Sequence, residues 1–108
     1  MTATSEDSRQ ETVHATAVAI AGAGVLIRGA SGSGKSDLAL RLIDRGAKLI
    51  SDDQVDIVRA GKDLLLSPPP RLGGKLEVRS LGICECDYLS GVTLQMIVDL
   101  KSHPERFP

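Results

Sequence analysis

One eight-residue stretch constrains the fold of this chain more than any other feature. It reads Gly29-Ala30-Ser31-Gly32-Ser33-Gly34-Lys35-Ser36 and matches every fixed position of the pattern G-x-x-x-x-G-K-[ST]. Such glycines let the backbone curl so that successive N–H groups point at phosphate oxygens, and a following helix adds the positive end of its dipole. An apolar run at residues 24–27 precedes the stretch, as a buried strand would. We therefore interpret residues 29–36, the glycine-rich loop, as a phosphate-binding loop and not as an accidental glycine-rich turn.

The residues that follow the loop have helical periodicity. They predict a helix over residues 35–45, with Gly46 placed to end it. Asp37 stands in the first turn, where a negative charge is favourable, and can pair with Arg41 one turn later. The apolar face consists of Leu38, Ala39, Leu42 and Ile43.

The rest of the chain is rich in strand-like segments separated by turns. Residues 12–20 predict one strand, residues 25–28 a hairpin partner, and residues 47–51 a short strand that runs into Asp52-Asp53. Further strand-like segments are found at residues 55–59, 64–67, 76–79, 83–86 and 92–100. A strand–loop–helix–strand unit among hairpins predicts an α/β domain with a mixed, hairpin-containing sheet and few helices.

Length and charge exclude several classes of protein. The 108 residues suit a single domain, which we predict at residues 12–108 after a disordered, polar lead-in at residues 1–11. Thirteen basic residues nearly cancel 14 acidic ones, so the net charge of -1 predicts neither a nucleic-acid nor a membrane partner. There is no apolar run of about 18 residues and no signal-peptide pattern, which favours a cytoplasmic protein.

Two cysteines, Cys84 and Cys86, lie two residues apart in a strand-like segment. Side chains at that spacing face the same way, yet a disulfide between them would be strained. A zinc site would need further Cys or His ligands nearby, and the sequence offers none. We interpret both as buried, reduced thiols.

The pair Asp52-Asp53 follows the strand that comes after the loop's helix. A carboxylate at that position can hold a metal directly, hold it through water, or accept a proton from an attacking hydroxyl. Neighbouring residues at a strand end point apart, so only one of the two can face a phosphate, and the sequence leaves open which one. Taken alone, His14 is typical of a strand histidine, and the alternation of Glu77 and Arg79 favours a solvated sheet face.

Taken in order, these segments resemble the catalytic domain of the bacterial HPr serine kinase/phosphorylases. That family has a strand histidine, a loop of the form G-x-S-G-x-G-K-S, a helix closing with Arg-Gly, and a strand ending in Asp-Asp. Here these features are His14, the glycine-rich loop, Arg45-Gly46 and Asp52-Asp53. A second signature, close to L-E-I-R-G-L-G-I, is present at residues 76–83 with a serine in place of its first glycine. The resemblance covers most of residues 13–83.

The resemblance implies a set of phosphate and metal contacts. All eight residues of the glycine-rich loop would bind the phosphoryl donor, which is ATP or pyrophosphate. Within the loop, Lys35 would contact the phosphates that are transferred. Ser36 and Glu77 would coordinate Mg²⁺. The related nucleotide-binding domain of phosphoenolpyruvate carboxykinases fits the predicted sheet.

It also implies the catalytic groups and the partner. Asp53, also a candidate metal ligand, would be the general base toward a seryl hydroxyl of the phosphocarrier protein HPr, with Asp52 beside it. His14 would orient that carboxylate. Arg79 would belong to the signature segment that takes part in both the kinase reaction and its reverse. In the reverse reaction, inorganic phosphate removes the phosphoryl group from serine and pyrophosphate is released. The two reactions would regulate carbon or nitrogen metabolism.

Family members differ from this sequence at both ends. Many carry an additional N-terminal domain, whereas this chain resembles the short proteobacterial form. The family also has a C-terminal segment with a catalytic arginine and a helix that docks HPr and builds a hexamer, and we do not find it after Val92. By resemblance we nevertheless expect a homo-oligomer.

Two other functions are compatible with the loop. A small-metabolite kinase would usually carry an arginine-rich lid, but residues 60–74 contain only Lys62 and Arg71, which argues against it. A nucleotide-binding module without catalytic activity is the second alternative.

Overall fold

A computed structural model describes residues 10–30, 32–78 and 81–101, which form a curled mixed sheet with one helix packed on it. None of the helical residues in these ranges makes a segment long and apolar enough to cross a membrane. The elements are β1 (Gln10–Val13), β2 (Thr16–Ile20), β3 (Ala23–Arg28), α1 (Lys35–Asp44), β4 (Lys48–Ser51), β5 (Val55–Ala60), β6 (Asp63–Ser67), β7 (Lys75–Val78), β8 (Gly82–Glu85) and β9 (Val92–Asp99).

The main sheet has seven strands in the order β1-β5-β6-β9-β3-β2-β4, and β7 and β8 form a separate two-stranded hairpin. Within the described ranges, β3 and β9 run parallel and the other paired strands antiparallel. The predicted β2–β3 and β5–β6 hairpins are confirmed, as is a mixed sheet with few helices. Because β3 and β4 are both antiparallel to β2, which lies between them, their C-terminal ends lie on the same side of the sheet.

The segment predicted as one strand at residues 12–20 is two strands with different partners. β1 pairs with β5, whereas β2 pairs with β3 and β4. At the break, the Ala15 N–H donates to the Asp53 carbonyl over 3.2 Å, which ties the change of partner to the turn after β4. Strand pairing begins at Gln10, two residues inside the predicted lead-in, and residues 1–9 lie outside the described ranges.

Alternation along β2 and β3 divides the core between the two faces of the sheet. On one face Val18, Val25 and Ile27 pack with Ala39 of α1. On the other face the curled sheet closes on itself around Ala15, Ala17, Ala19, Leu26, Ile50, Val55 and Leu66. Full burial of a large aliphatic side chain contributes about 1.5–3 kcal/mol, so this packing gives β3, α1 and β4 fixed relative positions.

Candidate active site

The glycine-rich loop joins the end of β3 to the start of α1 in a conformation that depends on its glycines. Gly32 and Gly34 have φ values of +84° and +99°, where a side chain is strained. Gly34 is the N-cap residue of α1, and among the described residues no side chain caps the first turn. The first-turn N–H groups are therefore available to an anion. Ser31 lies outside the described residues.

The loop is also packed tightly at its first residue. A Cβ at Gly29 would clash with Ser33 Oγ and approach the Leu100 carbonyl to 3.2 Å. The Ser33 N–H donates to the Ala30 carbonyl over 2.9 Å, but Ser33 Oγ is buried without a hydrogen-bond partner in the part of the chain that the structure describes. An orphaned hydroxyl inside this loop fits a site that gains a polar ligand.

Lys35 is buried beneath the curl of the loop. Its ammonium donates to the carbonyls of Gly29 and Ala30 over 2.8 and 3.1 Å. A cleft of about 140 Å³ opens beside it. The residues that line this cleft are Gly32, Gly34, Lys35, Ser36, Asp37 and Glu77.

The Asp52 carboxylate connects the loop to β2 and to β7. Its Oδ1 accepts hydrogen bonds from Thr16 Oγ1 at 2.9 Å and Ser36 Oγ at 2.7 Å. Its Oδ2 accepts from the Glu77 N–H at 3.0 Å, and the residue is only 7% exposed. Of the two adjacent carboxylates, Asp52 is therefore the one in contact with Ser36. Thr16 was not predicted as a site residue from the sequence, in which it is marked only by being a hydroxyl residue in an otherwise apolar strand.

Asp53 points away from Asp52, toward His14. Its backbone has a φ of +74°, and its Oδ1 lies 3.4 Å from His14 Nδ1, within ion-pair distance when the imidazole is protonated. The two side chains are 67% and 49% exposed. The predicted divergence of the adjacent carboxylates is confirmed, and the pair with His14 is accessible to a large partner.

Among the described residues, the remaining candidates form no separate site. Arg79 lies outside the described residues, and nowhere within those residues do three or more His, Cys, Asp or Glu side chains form a metal cluster. Cys84 and Cys86 are free, as expected, but only partly buried. Burial, and then the charge of Asp87, raise the pKa of the Cys86 thiol, so it stays protonated at neutral pH and is a poor nucleophile.

The donors around the cleft have the chemistry that Mg²⁺ and phosphate require. Mg²⁺ prefers oxygen ligands and usually takes one or two carboxylates together with substrate phosphates and waters, so it needs no dense protein cluster. The Ser36 hydroxyl and the Asp52 carboxylate are in contact, and Glu77 lines the same cleft. The uncapped first turn of α1 offers N–H groups to phosphate.

The architecture and the site have counterparts among known proteins. The family model of the HPr serine kinase C-terminal domain matches residues 6–102. The HPr kinase/phosphorylases of Burkholderia lata and Burkholderia cenocepacia are each 43% identical in an alignment of 102 residues, which covers 87% of this chain. The solved Hpr(Ser) kinase/phosphatase of Coxiella burnetii superposes with a TM-score of 0.76 at 30% identity, covering 82% of this chain and 58% of that one.

This chain belongs to the HPr serine kinase C-terminal domain family, since the family model matches most of its length. The expected resemblance is thereby confirmed. The chain spans about a third (32%) of the length of the two Burkholderia relatives. Those relatives bear the name of a phosphotransferase, and the match covers the glycine-rich loop, the two carboxylates and Glu77.

Proposed function

We propose that this chain is a phosphate-loop protein-serine kinase that uses Mg²⁺ and ATP to phosphorylate HPr. The same site would run phosphorolysis in reverse and release pyrophosphate. The observation that carries the proposal is the 2.7 Å hydrogen bond from Ser36 to Asp52, which joins the loop to a carboxylate at the end of the next strand. In phosphate-loop enzymes a loop Ser or Thr and such a carboxylate hold the metal. The names of the relatives support HPr as the substrate.

Phosphate binding follows from the loop and the start of α1. The first-turn N–H groups and the helix dipole attract the phosphates, and the Ser33 hydroxyl gains a partner. The Lys35 ammonium, which bonds to loop carbonyls at 2.8 and 3.1 Å, is already beside the cleft and neutralises the transferring phosphates. Phosphoryl transfer depends mainly on such positioning and charge neutralisation. A phosphoenolpyruvate-carboxykinase-like sheet is the fold that we propose for this arrangement.

The metal ligands that we propose are Ser36 and Glu77, with Asp52 behind Ser36 and Asp53 as a further candidate ligand. Mg²⁺, when bound, neutralises charge on the phosphates. The Ser36 hydroxyl donates a hydrogen bond to Asp52, which leaves the lone pairs of the Ser36 oxygen available to a cation. Asp52 in turn is held by the Glu77 N–H, so the loop and β7 are joined through one carboxylate.

Asp53 is the general base in this proposal. A seryl hydroxyl on a folded protein can reach only an accessible carboxylate, and Asp53 is largely exposed whereas Asp52 is not. Asp53 accepts the seryl proton as the oxygen attacks phosphorus and returns it in the reverse direction. His14 orients Asp53 from 3.4 Å. A positioned base contributes about 10²–10⁴-fold in rate.

Three further expectations remain part of the proposal. Arg79 would assist transfer in both directions. The protein would assemble as a homo-oligomer, by resemblance a hexamer. It would act in the cytoplasm, where its carrier protein substrate is found.

The experiment that tests the proposal is incubation of the purified protein with MgCl₂, γ-labelled ATP and HPr. We expect label on an HPr serine, its loss in Lys35→Ala, and a decrease of about 10²–10⁴-fold in Asp53→Asn. Metal-free nucleotide affinity should be unchanged in Asp53→Asn, because within the described residues the Asp53 side chain pairs with His14 and not with the loop. Intact ATP binding without label on HPr would instead support the non-catalytic module, and equal transfer by Asp53→Asn would refute its role as base.

A further inference from the structure

Thr16 is a buried polar residue with a specific contact at the candidate site. It lies at the start of β2, is 0% exposed, and its hydroxyl donates to Asp52 Oδ1 over 2.9 Å. Neither the loop pattern nor the Asp-Asp pair draws attention to it. We propose that Thr16 is a positioning residue, which acts through Asp52 and Ser36 to set the affinity of the site for Mg²⁺. This inference rests on the proposed function, in which Ser36 binds the metal.

The sheet explains why Thr16 can reach Asp52. In the β2–β3 ladder Thr16 is opposite Ile27, and cross-strand partners share a face, so Thr16 lies on the face that α1 covers. β4 is the other neighbour of β2, and Asp52 follows its last residue. The hydroxyl therefore faces the carboxylate from the strand next to it, 36 positions away in sequence.

The two hydroxyls that meet Asp52 Oδ1 have different tasks. Thr16 is enclosed and can only hold the carboxylate, whereas Ser36 lines the open cleft. When Ser36 donates to Asp52, its lone pairs stay directed to the cleft, where a cation would bind. If Thr16 no longer holds Oδ1, the carboxylate gains rotational freedom and Ser36 loses its fixed acceptor. Groups that orient metal ligands in this way typically change metal affinity by about 10–100-fold when they are removed.

The chain contains a second threonine–aspartate hydrogen bond that serves as a control for this contact, with a threonine that is exposed. Thr12 Oγ1 donates to Oδ1 of Asp56, which is also buried and has a second donor, Gln10 Nε2, at 2.8 Å. This threonine–aspartate bond joins β1 to β5, at the far end of the sheet order from β2 and β4. Thr12→Val therefore removes the same type of hydrogen bond without touching Asp52.

The test uses a fluorescent ATP analogue, with affinity measured in EDTA and across a MgCl₂ titration. Thr16→Val should weaken the apparent Mg²⁺ affinity about tenfold and leave the metal-free nucleotide affinity unchanged. Thr16→Ser, which keeps the hydroxyl, should restore the Mg²⁺ affinity. Thr12→Val should lower the free energy of unfolding, measured in urea, and leave the Mg²⁺ affinity unchanged. If Thr16→Val does not fold, Thr16→Cys replaces it, because the thiol is a weak donor of similar size. We expect Thr16→Cys to lose part of the Mg²⁺ affinity.

Three results would overturn the inference. Wild-type Mg²⁺ affinity in folded Thr16→Val would remove the role of the hydroxyl. An equal loss in Thr12→Val, or an equal loss of metal-free binding, would show that destabilisation of the fold is the cause. If the wild-type protein binds the analogue equally with and without MgCl₂, the proposed function fails as well, which distinguishes that failure from the first two.

Discussion

Asp52 and Asp53 are neighbours in the chain but lie in opposite environments. Asp52 is 7% exposed and accepts hydrogen bonds from Thr16, Ser36 and Glu77. The side chain of Asp53 is 67% exposed and faces one partially exposed histidine. The comparison shows how one fold can use the same residue type twice. One carboxylate is held in place by three hydrogen bonds from the surrounding structure, and the other is left accessible to solvent.

The backbone after β4 produces this difference. Asp53 adopts a left-handed conformation, and the Gln54 N–H donates to the Asp52 carbonyl over 2.8 Å. This tight turn directs the two carboxylates to different sides. The Asp53 carbonyl in turn accepts from the Ala15 N–H, so the turn is fixed against the start of β2.

The largest expected effect on stability is that of Asp52→Ala. The substitution leaves the buried Thr16 hydroxyl without its acceptor and removes the bonds of the more accessible Ser36 hydroxyl and Glu77 N–H. An unsatisfied buried group costs about 1–3 kcal/mol. We expect the free energy of unfolding in urea to fall by about 3 kcal/mol. Asp53→Ala, the matched control, should change it by no more than about 0.5 kcal/mol. Similar losses in both variants would contradict the comparison.

A second, smaller effect tests the backbone at Asp53. A left-handed conformation suits Gly, is tolerated by Asp, and strains a β-branched residue by about 1–2 kcal/mol. Asp53→Val should therefore be less stable than Asp53→Gly by about that amount in urea unfolding, although the side chain is largely exposed. Equal stability of the two variants would mean that the turn does not need this conformation.

The smallest effect is expected at a third carboxylate, Asp99, on the other side of the loop. Arg28 Nε and Nη2 donate to its two oxygens over 2.7 and 2.9 Å, and both side chains are about half exposed. The hydrogen bond from Arg28 holds the pKa of Asp99 below its usual range. Because the folded-state pKa is depressed, the resulting stability is fully present above about pH 4 and is lost as the pH falls through the folded-state pKa.

Asp99→Asn should therefore slightly lower the melting temperature at pH 7, and the difference from wild type should vanish in strong acid. High salt should reduce the effect, since the pair is exposed. A difference that persists unchanged below the folded-state pKa would indicate a cause other than this ion pair.

Local patterns were sufficient for the helix, the loop and the hairpins. Turn glycines and apolar runs predicted β2–β3 and β5–β6, and helical periodicity predicted α1 to within one residue of its end. The break between β1 and β2 was missed because residues 12–20 are uniformly suited to a strand. The change of partner at Ala15 depends on its bond to Asp53, which no local pattern encodes.

By itself, the sequence determined the phosphate-loop pattern, the strand-end carboxylates and the family resemblance, because each depends on residues close together in the chain. Only the tertiary structure decided which carboxylate meets the loop and that Thr16 supports it. These contacts join positions separated by 16 to 36 residues, namely Ser36 and Thr16 with Asp52. They form because the strand order places β2 between β3 and β4. That order is set by the packing of the whole sheet, so no short stretch of sequence specifies it.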